Sequence, residues 1–195
     1  MVDEKEKIKI KPEELRVEKL TEAHRDIIGS LQSYELELID FLMEDALNQQ
    51  NRKISVTYLW FLRRTNELVA YVTLSPDCVK LKNINPKLSQ NFRDKGINYK
   101  SLPALKIGRI CVDDRFQKRG IGNLIIQFTI SMAIKISNQV GCRFLYLDAK
   151  RNEDSSKDAI HFYKKIGFEL YRDRESKETP LYLDLWPFME KLANK

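Results

Sequence analysis

Six residues, Gln117-Lys118-Arg119-Gly120-Ile121-Gly122, constrain this chain more than any other run. They follow Lys106-Ile107-Gly108-Arg109-Ile110-Cys111-Val112, an apolar segment that reads as a buried strand. They open into Asn123-Leu124-Ile125-Ile126-Gln127-Phe128, which reads as a helix. Strand, glycine-spaced turn and helix start together place several backbone N–H groups at a positive dipole end. That arrangement holds a pyrophosphate. Gly120 and Gly122 lack a Cβ, so phosphate oxygens can come close to the main chain.

Spacing excludes two common phosphate loops. No Gly, four residues, Gly-Lys and Ser/Thr run occurs, so there is no P-loop. Gly120-x-Gly122 is followed by Ile125 where a dinucleotide fingerprint needs a third glycine. The pattern left is Q/R-x-x-G-x-G/A, filled by Gln117, Gly120 and Gly122. Roughly forty residues later, past the strand-like Phe144-Leu145-Tyr146-Leu147-Asp148, comes Ala159-Ile160-His161-Phe162-Tyr163-Lys164-Lys165-Ile166-Gly167-Phe168. Ala159, Phe162 and Ile166 recur at helical spacing on one face. Gly167 suits the residue after a helix end, and Phe168 begins another strand.

These two runs, in this order, resemble the acetyl-CoA loop and the later A-x-x-F-Y-x-x-x-G-F motif of the GNAT N-acetyltransferase superfamily. The likeness extends over nearly the whole chain and is nearer to one branch. Phe41-Leu42, Ala46 and Gln49-Gln50, the lead Leu102 to Asp113, and Ala70-Tyr71 with Leu74 look like toxin-type members that acetylate aminoacyl-tRNA. The departure is Ser33-Tyr34, where that branch often carries Cys-Gly.

Local patterns fill in the fold. Leu15 to Lys19 reads as a first strand, and Thr21 as a helix N-cap. Tyr34 to Gln50 reads as one helix with the stripe Leu38, Phe41, Leu42, Ala46, Leu47. Ile54–Leu62 and Glu67–Leu74 read as strands joined at Arg64-Thr65-Asn66. The loop helix carries Ile121, Leu124/Ile125, Phe128, Met132, Ile136 and Val140 on its core side, Leu181 to Leu185 is a last strand, and Pro187 starts a terminal helix. The expected architecture is α/β: one domain over residues 1–195, with a mixed six- to seven-stranded sheet flanked by helices. Residues 1–14 form a charged extension, and 83–105 a long polar excursion before the central strand. The resemblance adds a splay at the central strands.

Composition narrows the setting. With 195 residues and 43% hydrophobic content, one core of ordinary size is expected. No apolar run approaches the roughly 20 residues of a membrane span, and the N-terminus has no apolar signal region. Cys78, Cys111 and Cys142 are scattered and His24 and His161 are the only histidines, so no metal and a reduced, cytoplasmic setting are expected. The net charge of +6 fits either an ordinary solvated surface or a face for nucleic acid.

The resemblance implies a mechanism. Backbone of Ile110, Cys111 and Val112 would hold the pantetheine arm, with the Ile110 N–H polarising the thioester carbonyl, an effect worth about 3 kcal/mol in comparable sites. Main-chain groups of Gln117, Lys118, Arg119, Gly120, Ile121, Gly122 and Asn123 would hold the pyrophosphate. Tyr163 would protonate the departing thiolate. His161 reads as surface and the Cys111 side chain as core. Asp113, Asp114 and Asp148 are candidate bases or simply turn residues. Deprotonating a lysine amine at neutral pH costs roughly 4–5 kcal/mol, against about 1 kcal/mol for an α-amine, so a site with no evident base suits an α-amine. The expected activity is transfer of acetyl from acetyl-CoA to a primary amine, aminoacyl-tRNA in a toxin or else a peptide or small amine. A non-catalytic acyl-CoA-binding regulator and a basic nucleic-acid binder are the alternatives. tRNA, an antitoxin and a second copy are the partners that the branch implies.

Overall fold

The structure, a computed structural model, describes residues 8–150, 159–171 and 178–193. Half of the expected 1–14 extension, residues 1–7, lies outside them. The strands are β1 (Leu15–Lys19), β2 (Val56–Leu62), β3 (Leu68–Lys80), β4 (Ser101–Val112), β5 (Phe144–Lys150), β6 (Glu169–Leu170) and β7 (Glu178–Asp184). They form one mixed sheet in the order β1-β2-β3-β4-β5-β7-β6. The helices are α1 (Arg25–Ile28), α2 (Leu36–Asp40), α3 (Ala46–Asn51), α4 (Pro86–Asp94), α5 (Ile121–Val140), α6 (Ile160–Ile166) and α7 (Trp186–Ala193). The expected α/β class holds, with seven strands. Contacts cluster into two compact units, Met1–Ser75 with Gly108–Thr129, and Pro76–Ile107 with Ile130–Lys195.

In the first unit β1, β2 and β3 run antiparallel, from Leu15 opposite Leu62 to Val56 opposite Leu74. The hairpin falls where Arg64-Thr65-Asn66 placed it. Asn66 takes the left-handed conformation (φ 57°) that Asn tolerates, and Leu62 N–H donates to Glu67 C=O at 2.9 Å. Leu42, Ala46, Leu59, Phe61, Leu68, Tyr71 and Cys111 pack one face of these strands.

Tyr34–Gln50 is not one regular helix. A π turn, Phe41–Asp45, separates α2 from α3, and Ala46 N–H reaches back five residues to Phe41 C=O. Phe41, Leu42 and Ala46 all stay buried across the widened turn. At the end of α3, buried Gln50 donates from Nε2 to Leu20 C=O (2.6 Å) and accepts from Thr57 N–H (3.1 Å). One amide thereby satisfies two backbone groups on separate segments.

The second unit is built on aromatic rings. β5 pairs in parallel with Ala104–Ile107 of β4 and antiparallel with β7. Phe92, Phe144 and Tyr182 meet edge to face, with centroids 6.2 and 5.7 Å apart. Arg143 forms a bidentate pair with Asp184 (2.8 Å each) while its guanidinium faces the rings of Phe92 and Trp186. The 83–105 stretch differs from expectation, because it holds α4 and the start of β4. Asn85 caps α4 by accepting from Lys87 N–H (2.9 Å), Pro86 is its first residue, and Leu88 and Phe92 pack inward. A polar average concealed a short amphipathic helix.

α5 also departs in detail. Its buried residues are Ile121, Ile125, Ile126, Thr129, Ile130 and Ala133, whereas Val140 is 80% exposed. The expected Phe128, Met132 and Ile136 are half-buried, the fully buried face ends at Ala133, and the last turn faces solvent.

Replacing Gln50 by Ala leaves the Leu20 carbonyl and the Thr57 amide buried without partners. Urea denaturation of Gln50→Ala is expected to show a loss of about 2–4 kcal/mol.

Candidate active site

β4 carries the first part of the site. Asp113 N–H donates to Val69 C=O at 2.9 Å, and a Cβ built on Gly108 would approach Thr73 C=O at 3.7 Å, so this end of β4 runs antiparallel to β3. Along a strand, N–H groups alternate between its two edges. Asp113 and Cys111 therefore turn theirs toward β3, whereas Val112 and Ile110 turn theirs to the opposite edge. Ile110 and Val112 are half-buried. Two residues apart, the side chains of Cys111 and Arg109 share one face: Cys111 enters the core and Arg109 lies over the Phe41 ring, 5.3 Å from its centroid. Burial, the largest influence, pushes the Cys111 thiol up to about 12. That thiol is a packing group.

The turn after β4 is fixed by two aspartates. Buried Asp113 accepts from Gln32 N–H (3.0 Å) and Arg115 N–H (2.9 Å), and pairs with the Arg115 guanidinium at 2.9 and 2.8 Å. Burial alone would raise its pKa. The Arg115 hydrogen bond and the two backbone donors outweigh that and hold it below the usual carboxylate range. Asp114 accepts from Tyr34 N–H (2.8 Å) and from the Gln117 side chain (2.6 Å). Asp113 and Asp114 therefore act as anchors of the turn. Gln117, expected among the pyrophosphate residues, spends its side-chain amide on bracing the loop.

Past Gln117 the chain takes two left-handed residues, Lys118 (φ 63°) and Gly120 (φ 86°), then enters α5. Lys118 bears that strain as a non-glycine residue. Leu124 N–H bonds to Gly120 C=O (3.3 Å), which makes Gly120 the N-cap. The N–H groups of Gly120, Ile121, Gly122 and Asn123 are thus the four that a helix cannot satisfy internally. A Cβ built on Gly120 would meet nothing within 4 Å, so open space lies beside these amides. Arg119 stacks on Phe116 (5.4 Å) and its Nε is buried with no hydrogen-bond partner. Donor-rich backbone, a cation and room beside them fit a diphosphate. One contact was not foreseen from sequence: Ile10 N–H donates to Arg119 C=O at 3.0 Å, tying the N-terminal extension to the loop.

Tyr163 lies in the second unit. It is 5% exposed on α6, with ring contacts to Phe162 (5.1 Å) and Phe168 (5.6 Å). α6 ends at Gly167 (φ 110°), where Phe168 N–H bonds to Tyr163 C=O and Gly167 N–H to Lys164 C=O. This paired closure explains the glycine of the motif. His161 is exposed, as expected. Asp148 pairs with Lys106 Nζ (2.8 Å) and accepts from Tyr146 OH (2.9 Å). Among the described residues no group of three or more His, Cys, Asp or Glu is placed to hold a metal.

Comparison with known proteins identifies the family. The family model for the GNAT acetyltransferase domain matches residues 55–170, more than half of the chain. The chain belongs to the GNAT acetyltransferase family, and it is an N-acetyltransferase whose acyl donor is acetyl-CoA. A Mycobacterium tuberculosis protein described as a tRNA-acetylating toxin is 24% identical over 160 residues, covering 82% of this chain and 86% of its own. The structure of AtaT complexed with acetyl-methionyl-tRNAfMet shares the fold, with a TM-score of 0.76 and 23% identity over 91% of this chain and 99% of that one. AtaTR bound with AcCoA superposes with a TM-score of 0.70 at 25% identity, covering 92% and 99%.

Because the folded-state pKa of Asp113 is depressed, its contribution to stability is complete above the unfolded value of about 3.9 and fades as pH falls below it. In urea titrations Asp113→Asn is expected to be less stable than the wild type at pH 7. The gap should close progressively below about pH 4.

Proposed function

We propose that this enzyme acetylates the α-amine of aminoacyl-tRNA, acting as a growth-inhibiting toxin in the cytoplasm with an antitoxin as its controlling partner. The observation that carries this reading is the occupation of every carboxylate first considered as a base. Asp113 is saturated by Arg115 and two amides, Asp114 by Tyr34 and Gln117, and Asp148 by Lys106 and Tyr146. An acceptor that loses its proton cheaply suits such a site. An α-amine costs about 1 kcal/mol to deprotonate near neutral pH, a lysine amine roughly 4–5 kcal/mol. The toxin-type relatives support the RNA-borne α-amine over a free peptide.

In this reading the Gly120–Asn123 amides and Arg119 bind the diphosphate of acetyl-CoA, and the outward amides of Ile110 and Val112 receive its pantetheine arm and thioester. Bound acetyl-CoA supplies the acetyl group as a thioester, whose carbonyl carbon bonds to the acceptor nitrogen as its C–S bond breaks. The Ile110 N–H holds the carbonyl oxygen while negative charge develops on it. Tyr163 gives its phenolic proton to the leaving sulfur, and the proton of the acceptor nitrogen passes to water. The resulting phenolate recovers a proton from solvent. Residues 1–195 act as one acetyltransferase domain.

Tyr163→Phe is expected to lower kcat by roughly 100-fold or more while calorimetry shows acetyl-CoA binding unchanged. Full turnover in that variant would remove Tyr163 from the chemistry. Mass spectrometry of charged tRNA, N-terminal peptides and lysine peptides incubated with acetyl-CoA should find acetyl first on charged tRNA. Preference for lysine side chains would overturn the acceptor assignment.

A further inference from the structure

The chain's positive charge is not spread evenly. Between residues 76 and 100 there are six cations, Lys80, Lys82, Lys87, Arg93, Lys95 and Lys100, against two carboxylates, Asp77 and Asp94. This segment of the second unit therefore carries four of the six net charges of the whole chain. Four of its cations, Lys80, Lys82, Arg93 and Lys100, line one cleft of about 650 Å³, and among the described residues lining it none is acidic.

The cleft is held in shape by its own backbone and one buried hydroxyl. Leu81 N–H bonds to Lys100 C=O at 3.0 Å, which pins the end of β3 and the turn after it, bearing Lys80 and Lys82, beside Lys100 at the entry to β4. Ser89, 3% exposed on α4, accepts from Arg93 Nη2 at 3.1 Å and fixes that guanidinium at the wall. Tyr99, on the lip, is 71% exposed. A large aromatic ring left in water beside converging cations does little for folding. It is the combination that grips an RNA strand, with cations on phosphates and the ring on a base.

We propose that this cleft is the docking site for the sugar–phosphate backbone of the RNA acceptor, with Tyr99 stacking on an unpaired base. The proposal rests on the aminoacyl-tRNA reading and gives the RNA body a site of its own on α4 and the segments that flank it. The four cations draw the RNA through counterion release, so binding is salt-dependent, and the tyrosine adds a component that salt does not weaken.

Fluorescence anisotropy of labelled, uncharged tRNA at several salt concentrations tests it in the full-length chain. The triple Lys80→Ala/Lys82→Ala/Lys100→Ala removes three exposed side chains from the cleft. Arg64→Ala/Lys135→Ala/Lys191→Ala removes the same charge from exposed positions elsewhere. The cleft triple is expected to weaken binding roughly tenfold and to lower the salt slope by about 2 to 3, the control triple to change both little. Tyr99→Ala should weaken binding with an unchanged slope. Acetyl-CoA binding should stay at the wild-type level in all three. Equal effects of the two triples, or none from the cleft triple, would overturn the proposal. So would polyglutamate binding that depends on the cleft while RNA binding does not, which would assign the cleft to an acidic protein. Cleft-dependent tRNA binding without acetylation of charged tRNA would retain the docking site and sink only the acceptor assignment.

Discussion

The first unit depends on the buried carboxylate of Asp113. Its own N–H closes the β3–β4 pair, and its oxygens collect two backbone amides and the Arg115 guanidinium. A fully buried charge costs several kcal/mol unless it is paired and hydrogen-bonded, so these partners are required together. That requirement has a geometric result. With Asp113 fixed toward β3, the amides of Ile110 and Val112 must face the other edge of β4. The chain beyond must leave the strand within a residue or two, into the turn that Asp114 and Gln117 brace.

The loop over residues 117–123 is thus set from both ends. On one side the aspartate pair stops β4. On the other, Ile121, Ile125 and Ile126 bury one face of α5 and fix the direction of its N-terminus. Between them Lys118 and Gly120 reverse the chain through left-handed conformations. The donors of the loop are preorganised by packing and hydrogen bonds that involve no ligand, so little reorganisation accompanies binding. Arg119 belongs to the same economy. Phe116 supports its guanidinium, and its buried Nε is a side-chain donor without a partner.

Much of this was legible in the residues, for local reasons. The Gly120-x-Gly122 spacing, the Gly167 helix end and the Asn66 turn each demand a backbone conformation that few residues adopt, so each announced itself. Apolar alternation placed β1, β2 and β5, whereas the stripe expected along α5 met its buried face only at Ile121 and Ile125. The errors were equally physical. A π turn inside 34–50 leaves the apolar stripe intact and so escapes a search for a 3.6-residue period. α4 was hidden because its two inward residues, Leu88 and Phe92, stand among lysines and asparagines. Asp113 and Asp114 were open as bases or turn residues, and the choice was not legible because Gln32, Tyr34 and Val69, which they engage, lie tens of residues away.

Sequence alone determined the family, the position of the glycine-spaced turn and the tyrosine of the helix motif, since those depend on residue type at fixed short spacing. Only the tertiary structure decided that the candidate carboxylates were already paired, which amides of β4 face away from β3, and that four cations of one segment converge on a single cleft. Those are facts about pairing and direction. They arise when distant segments compete for the same hydrogen bonds, and no local pattern encodes the outcome of that competition.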